Sequence, residues 1–199
     1  IYIARIPDIG TTALGAVGLC FPIIVIITAF SNLFGSGGAP LFSISQGMKD
    51  SRNSQMIMHT AFSMLCISAL VLMSLGMLFA RPLLILFGAS SSALSYAYPY
   101  LVIYLIGTLP SMIATGMNPF INAQGYSTIG MLTVAIGAIA NLLLDPLFIF
   151  VFGLGICGAA IATVLSQLLS AIFVLYFLRR KAEIKVRLLR LFELPSCKR

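Results

Sequence analysis

Asp145 stands in the run NLLLDPLFIF (141–150), the one ionisable residue well inside any long apolar stretch of this chain. A lone carboxylate in hydrocarbon costs at least about 2.5–3.5 kcal/mol on insertion scales. Interhelical hydrogen bonding returns well under about 1 kcal/mol, and Asn or Ser would glue helices at less cost. The carboxylate therefore points to function. Asn141 lies four residues earlier, on the same face of a helix, and Gly137 continues that face by one more turn. Pro146 follows at once and cannot donate to the Leu142 carbonyl. A carboxylate, an amide oxygen and an unpaired carbonyl at one level are the chemistry of a proton or hard-cation site, with Na⁺ at Asp145 as one occupant. The next segment, GAAIATVLSQLLS, sets Ala159, Thr163, Ser166 and Ser170 along one face. Counting 1.5 Å per residue from the intervening turn places Thr163 near the depth of Asp145, so its hydroxyl is expected to reach toward the carboxylate.

The elements that must hold these groups are membrane helices. The 199 residues are 60% hydrophobic and only 9% charged, against about 25% charged in soluble domains, and mean hydropathy is +1.07. No Asp, Glu, Lys or Arg occurs in 9–48, 53–80, 82–144 or 146–178. A span needs roughly 20 mainly apolar residues. Five whole spans are predicted near 13–34, 56–79, 95–117, 129–151 and 158–178, after the opening IYIARIPDIG, which reads as the tail of a helix begun earlier. The Gly- and Ser-rich FGSGGAPLFSISQG ends the first span. RPLLILFG reads as a short amphipathic segment lying in the interface. NAQGYST separates the third and fourth spans, and FGLGICGAA is a tight turn between the fourth and fifth.

Net charge is +7, yet more than half of the twelve Lys and Arg follow residue 178, beside the last apolar run. That is a cytoplasmic membrane flank, not a nucleic-acid surface. The basic loop 47–54 and the basic tail are separated by four spans, an even number, so both fall on one side, which the positive-inside rule makes cytoplasmic. The tail, 181–199, is either an interfacial amphipathic helix or a linker to a following segment, and the linker is preferred. SISQG (43–47) and INAQG (121–125) form a weak internal echo. Cys20, Cys66, Cys157 and Cys197 lack CxxC spacing and read as small hydrophobes. His59 reads as a packing or solvated group near a helix mouth. Pro22, Pro110 and Pro119 interrupt helices and shape a hinge or cavity.

The run INAQGYSTIGMLTVAIGAIANLLLDPLFIFVFGLGICGAAIATVLSQ (121–167), with its Q-G loop, N-x-x-x-D-P, G-x-x-G-A-A-x-A-T and S-Q, closely resembles the multidrug and toxic compound extrusion (MATE) transporters. ALGAVGLCFPI followed by GSGGAPLFSISQG resembles the second helix of that family and the loop after it. The resemblance implies an all-α polytopic membrane protein with twelve helices in two six-helix lobes. Residues 1–180 would then be the N-terminal lobe, five complete helices plus the end of a truncated first. It also implies that Asn141, Asp145 and Thr163 match the family's N-lobe cation site, which in many members is completed by a helix 1 Asp that precedes IYIARI and is absent from this sequence.

The function expected is export of drugs or other amphipathic organic compounds in exchange for H⁺ or Na⁺, with the bilayer and the missing C-terminal lobe as partners. No organic cofactor and no nucleic-acid partner are expected, and the expected location is a bacterial cell membrane. A lipid-linked-saccharide flippase would be expected to need cationic residues in its cavity, and the spans hold no Lys or Arg. An intramembrane enzyme would need a paired acid, a metal cluster or an activated nucleophile, and a channel repeated rings of charge. Neither pattern is visible. A non-transporting membrane segment is the remaining alternative.

Overall fold

The structure, a computed structural model, describes residues 10–184. Its helices are α1 (Gly10–Gly47), α2 (Ser51–Leu86), α3 (Ser91–Ile106), α4 (Thr108–Ala123), α5 (Ser127–Pro146) and α6 (Gly155–Arg180), with a π-helical segment, Leu147–Val151, extending α5. Four are long and apolar enough to cross a membrane, five when α3 and α4 count as one span bent by 55°. The protein is a multi-pass membrane protein of all-α class, as expected. The opening stub before Gly10 and the tail beyond residue 184 lie outside the described residues.

Three expected boundaries move. The Gly- and Ser-rich stretch after residue 34 is helical to Gly47, because its small residues form a packing face. A Cβ at Gly35 would strike the backbone carbonyl of Gly116, and one at Gly38 would lie 2.8 Å from Phe120. Close packing of this kind drives helix association where lipid removes the hydrophobic contrast, and it overrides glycine's poor helix propensity. RPLLILF is not a separate interfacial segment but the last two turns of α2, which runs through Pro82 to Leu86. Ala80 and Leu84 are fully buried there and anchor those turns to the core. The third predicted span is broken instead at Gly107. Pro110 cannot donate to the Ile106 carbonyl, and Gly107 admits Val164, with no room for a side chain.

α1 and α4 run side by side in the same direction. Ser31 meets Thr115, hydroxyl to hydroxyl, at 2.5 Å, and Phe42 packs edge-on against Phe120 with centroids 5.6 Å apart. α5 and α6 form an antiparallel hairpin turned at Phe152–Leu154, with Gly153 at φ +64°. That turn is shorter than expected, since GICGAA already belongs to α6. At the other end of this hairpin the Gln124 side-chain oxygen accepts from the Ile184 N–H at 3.1 Å, and Tyr126 packs on Phe177. The connectivity brings Lys49, Arg52, Arg179 and Arg180 to one end of the bundle. The outer faces stay apolar, with Leu78, Val151 and Leu86 among the most exposed side chains.

Candidate cation and ligand site between α4, α5 and α6

The hairpin register decides which polar groups meet. Gly158 sits against the Phe148 carbonyl, Asn141 against Thr163, and Gly137 against the Ser170 hydroxyl. Small residues at 137 and 158 let the two backbones approach. In this register Asn141 Nδ2 donates to Thr163 Oγ1 at 3.3 Å, and Thr163 Oγ1 donates to the Ala159 carbonyl at 2.9 Å.

Asp145 is one turn further along α5, level with residues 159–162 of α6, which read Ala-Ala-Ile-Ala. Thr163 is therefore the partner of Asn141 and not of Asp145. The depth count from the turn fails because α5 passes into a π-helical segment, in which each turn consumes more residues. The Phe152 N–H closes that segment onto the Leu147 carbonyl at 3.0 Å. It starts directly after Pro146, whose missing N–H already denies the Leu142 carbonyl its usual donor. The Leu142 side chain points outward, 57% exposed.

Asp145 Oδ1 is buried and has no hydrogen-bond partner among the described residues. Buried polar atoms are nearly always satisfied, and an exception asks for an unseen proton, water or ion. Tyr100, on α3, is buried within electrostatic reach of this carboxylate. Among the described residues no three His, Cys, Asp or Glu side chains come together. A cation at Asp145 would thus be held largely by neutral oxygens.

On the far side of Asn141 and Thr163 a cavity of about 510 Å³ opens between α4, α5 and α6. Its volume is within the range of small-molecule pockets. α4 contributes Thr115, Asn118 and Pro119; α5 contributes Thr133, Gly137 and Asn141; α6 contributes Thr163, Ser166, Gln167 and Ser170. The α6 face of Thr163, Ser166 and Ser170 is visible in sequence. Asn118 and Thr133 emerge only from the structure, although an Asn four residues before another Asn in an apolar span is a readable signal. Asn118 Nδ2 donates to the Gly130 carbonyl at 2.9 Å and to the Thr133 hydroxyl. Asn122 Nδ2 donates to Asn118 Oδ1 at 3.2 Å, and Ser170 Oγ donates to the Thr133 carbonyl at 3.1 Å. These bonds tie all three helices together at the end of the cavity away from Asp145. Among the described residues no Lys, Arg, Asp or Glu lines the cavity.

A family model described as MatE matches residues 1–147. The chain is 28% identical over 170 residues to the multidrug export protein MepA of Staphylococcus haemolyticus, covering 85% of this chain and 38% of that protein. It is 30% identical over 169 residues to an FAD transporter of Shewanella oneidensis, covering 83% of this chain and 37% of that one. The chain thus spans under two fifths of the length of these curated relatives. In structure it is similar to an inward-facing multidrug resistance MATE family transporter of the MOP superfamily, with TM-score 0.86 and 26% identity over 93% of this chain and 42% of that one. An outward-facing transporter of the same description shares the fold at TM-score 0.89 and 24% identity, over 98% of this chain and 43% of that one.

Proposed function

The chain belongs to the MatE family of multidrug efflux transporters, and we propose that it forms one lobe of an exporter that drives small organic molecules out of the cell by cation exchange. The observation that carries this reading is a buried carboxylate oxygen without a partner among the described residues, in the same hairpin as a 510 Å³ cavity. H⁺ or Na⁺ at Asp145, with Asn141 and Thr163 one turn away, would be the coupling ion. Its occupancy biases the outward- and inward-open states by no more than its differential affinity for them. Substrate would bind in the cavity, completed by the second lobe that the family resemblance implies.

The lining favours neutral or cationic amphipathic compounds. A pyrophosphate-bearing cargo, whether a flavin dinucleotide or a lipid-linked sugar, calls for cations, and the lining has none among the described residues. The basic end of the bundle, with Lys49, Arg52, Arg179 and Arg180, faces the cytoplasm of a bacterial cell in this reading. The test is Asp145→Asn in a transporter of the relatives' full length that carries this chain. Export of a fluorescent organic cation from cells should fall to background while the protein stays in the membrane. Near-normal export would remove the carboxylate from the coupling.

A further inference from the structure

Arg81 is a lone cation. Between Asn53 and Leu144 no other Asp, Glu, Lys or Arg occurs. It lies on α2 at the end of the bundle opposite Lys49 and Arg52. The 29 residues from Arg52 to Arg81 rise about 43 Å at 1.5 Å each. That matches the roughly 40–45 Å between the headgroup layers of a bilayer, so α2 carries one guanidinium into each layer.

The surroundings of Arg81 are apolar and face outward. On its own helix face Leu78 is 71% exposed and Ile85 56%. Beside it a depression of about 330 Å³ is lined by Arg81, Ser91, Leu94, Ser95, Tyr98 and Pro99. Ser95 Oγ is committed to the Ser92 carbonyl at 2.7 Å. The Ser91 and Tyr98 hydroxyls have no hydrogen bond among the described residues, and no carboxylate there pairs with Arg81. Three donors thus converge on a space whose rim is built for acyl chains. A small free anion would gain nothing from that rim, whereas a lipid would place its phosphate on the donors and its chains along Leu78, Ile85 and Leu94.

We propose that Arg81, with the Ser91 and Tyr98 hydroxyls, binds the phosphodiester of an anionic phospholipid in the headgroup layer opposite the basic loops. Guanidinium and phosphate pair through two parallel charge-assisted hydrogen bonds. Among the described residues no acidic side chain lines the depression to hold an ammonium headgroup, which favours phosphatidylglycerol over phosphatidylcholine. The site is separate from the α4–α5–α6 cavity and does not depend on the exporter reading.

The whole chain, purified in mixed micelles containing equal phosphatidylglycerol and phosphatidylcholine, can be assayed by native mass spectrometry for retained lipid. The wild type should keep phosphatidylglycerol in excess. Arg81→Gln should reduce that excess about tenfold, the scale of one lost charge-assisted contact, and Tyr98→Phe should reduce it severalfold while leaving every packed atom but one oxygen in place. Arg52→Gln, at the other end, should leave the Arg81-dependent lipid bound. Full retention in both Arg81→Gln and Tyr98→Phe would overturn the proposal. Displacement of the lipid by millimolar inorganic phosphate would also overturn it, by showing a small-anion site instead.

Discussion

The Asn141 amide donates to the Thr163 hydroxyl at 3.3 Å, one helical turn from the Asp145 oxygen that has no partner among the described residues. The pair fixes the depth of α5 against α6 immediately below the carboxylate. Thr163 is thereby a register pin, and its proposed part in holding the coupling ion separates from that role in an ion titration. Thr163→Val keeps the volume and removes the oxygen. In a transporter of the relatives' length, with Na⁺ as the coupling ion, the Na⁺ needed for half-maximal export should rise about tenfold and export should recover at high Na⁺. A variant whose export ignores Na⁺ and follows only the pH gradient would assign the coupling to protons.

Asn118 holds α4 to α5 through the Gly130 carbonyl and the Thr133 hydroxyl. Asn118→Leu would remove the donor that crosses from α4, leaving the Gly130 carbonyl with the Thr133 hydroxyl of its own helix at 2.6 Å. Stability in detergent should drop by about 0.5–1.5 kcal/mol, the net worth of a lost hydrogen bond. Asn118→Asp, which keeps the volume but replaces the amide donor with a carboxylate, should fare no better. Thermal unfolding followed by helical circular dichroism reads both. An unchanged midpoint in Asn118→Leu would mean that water satisfies these groups and the tie carries no stability.

The face of Gly137, Asn141 and Asp145 was readable from sequence because a period near four residues survives any small error in helix ends. The opposing face of Thr163, Ser166 and Ser170 was readable for the same reason. The pairing across the hairpin was not. It depends on a π-helical segment after Pro146, and a proline announces a perturbed helix without saying which form it takes. The helical identity of residues 35–47 was also hidden. Gly35, Gly37 and Gly38 look like a breaker in isolation, and only Gly116 and Phe120, some eighty positions on, turn Gly35 and Gly38 into a packing face. Composition was enough for the membrane class, since no helical or loop detail alters a chain that is 9% charged.

Shape demand on the cavity can be tested through Gly137, where an added Cβ would collide with the Ser170 hydroxyl. Ser170 also donates to the Thr133 carbonyl at 3.1 Å, so it cannot swing away without losing that bond. Gly137→Ala should therefore spread α5 from α6 and impair export of bulky and small compounds alike. Gly137→Ala combined with Ser170→Ala removes the collision and should restore part of the activity. Failure of the double variant to improve on the single one would show that the glycine serves something other than this contact.

The crossing of α1 and α4 offers the sharpest test of packing. A Cβ at Gly35 would meet the backbone of Gly116, which cannot rotate aside as a side chain can. A Cβ at Gly116 would in turn meet Leu65 of α2 at 2.6 Å, so the three helices are locked around one point. Overpacking a tight contact costs typically about 1–3 kcal/mol, and here the only relief is to part the helices, which would also stretch the Ser31–Thr115 contact four residues away. Gly37 lies two positions on, where an added methyl would have nothing within 4 Å. Gly37→Ala should be neutral or stabilising, because alanine costs less conformational entropy in a helix. Gly35→Ala should instead lower the unfolding midpoint in detergent by several degrees. Equal behaviour of the two variants would mean that α1 and α4 do not touch at Gly35, and the helical reading of 35–47 as a packing face would fail with it.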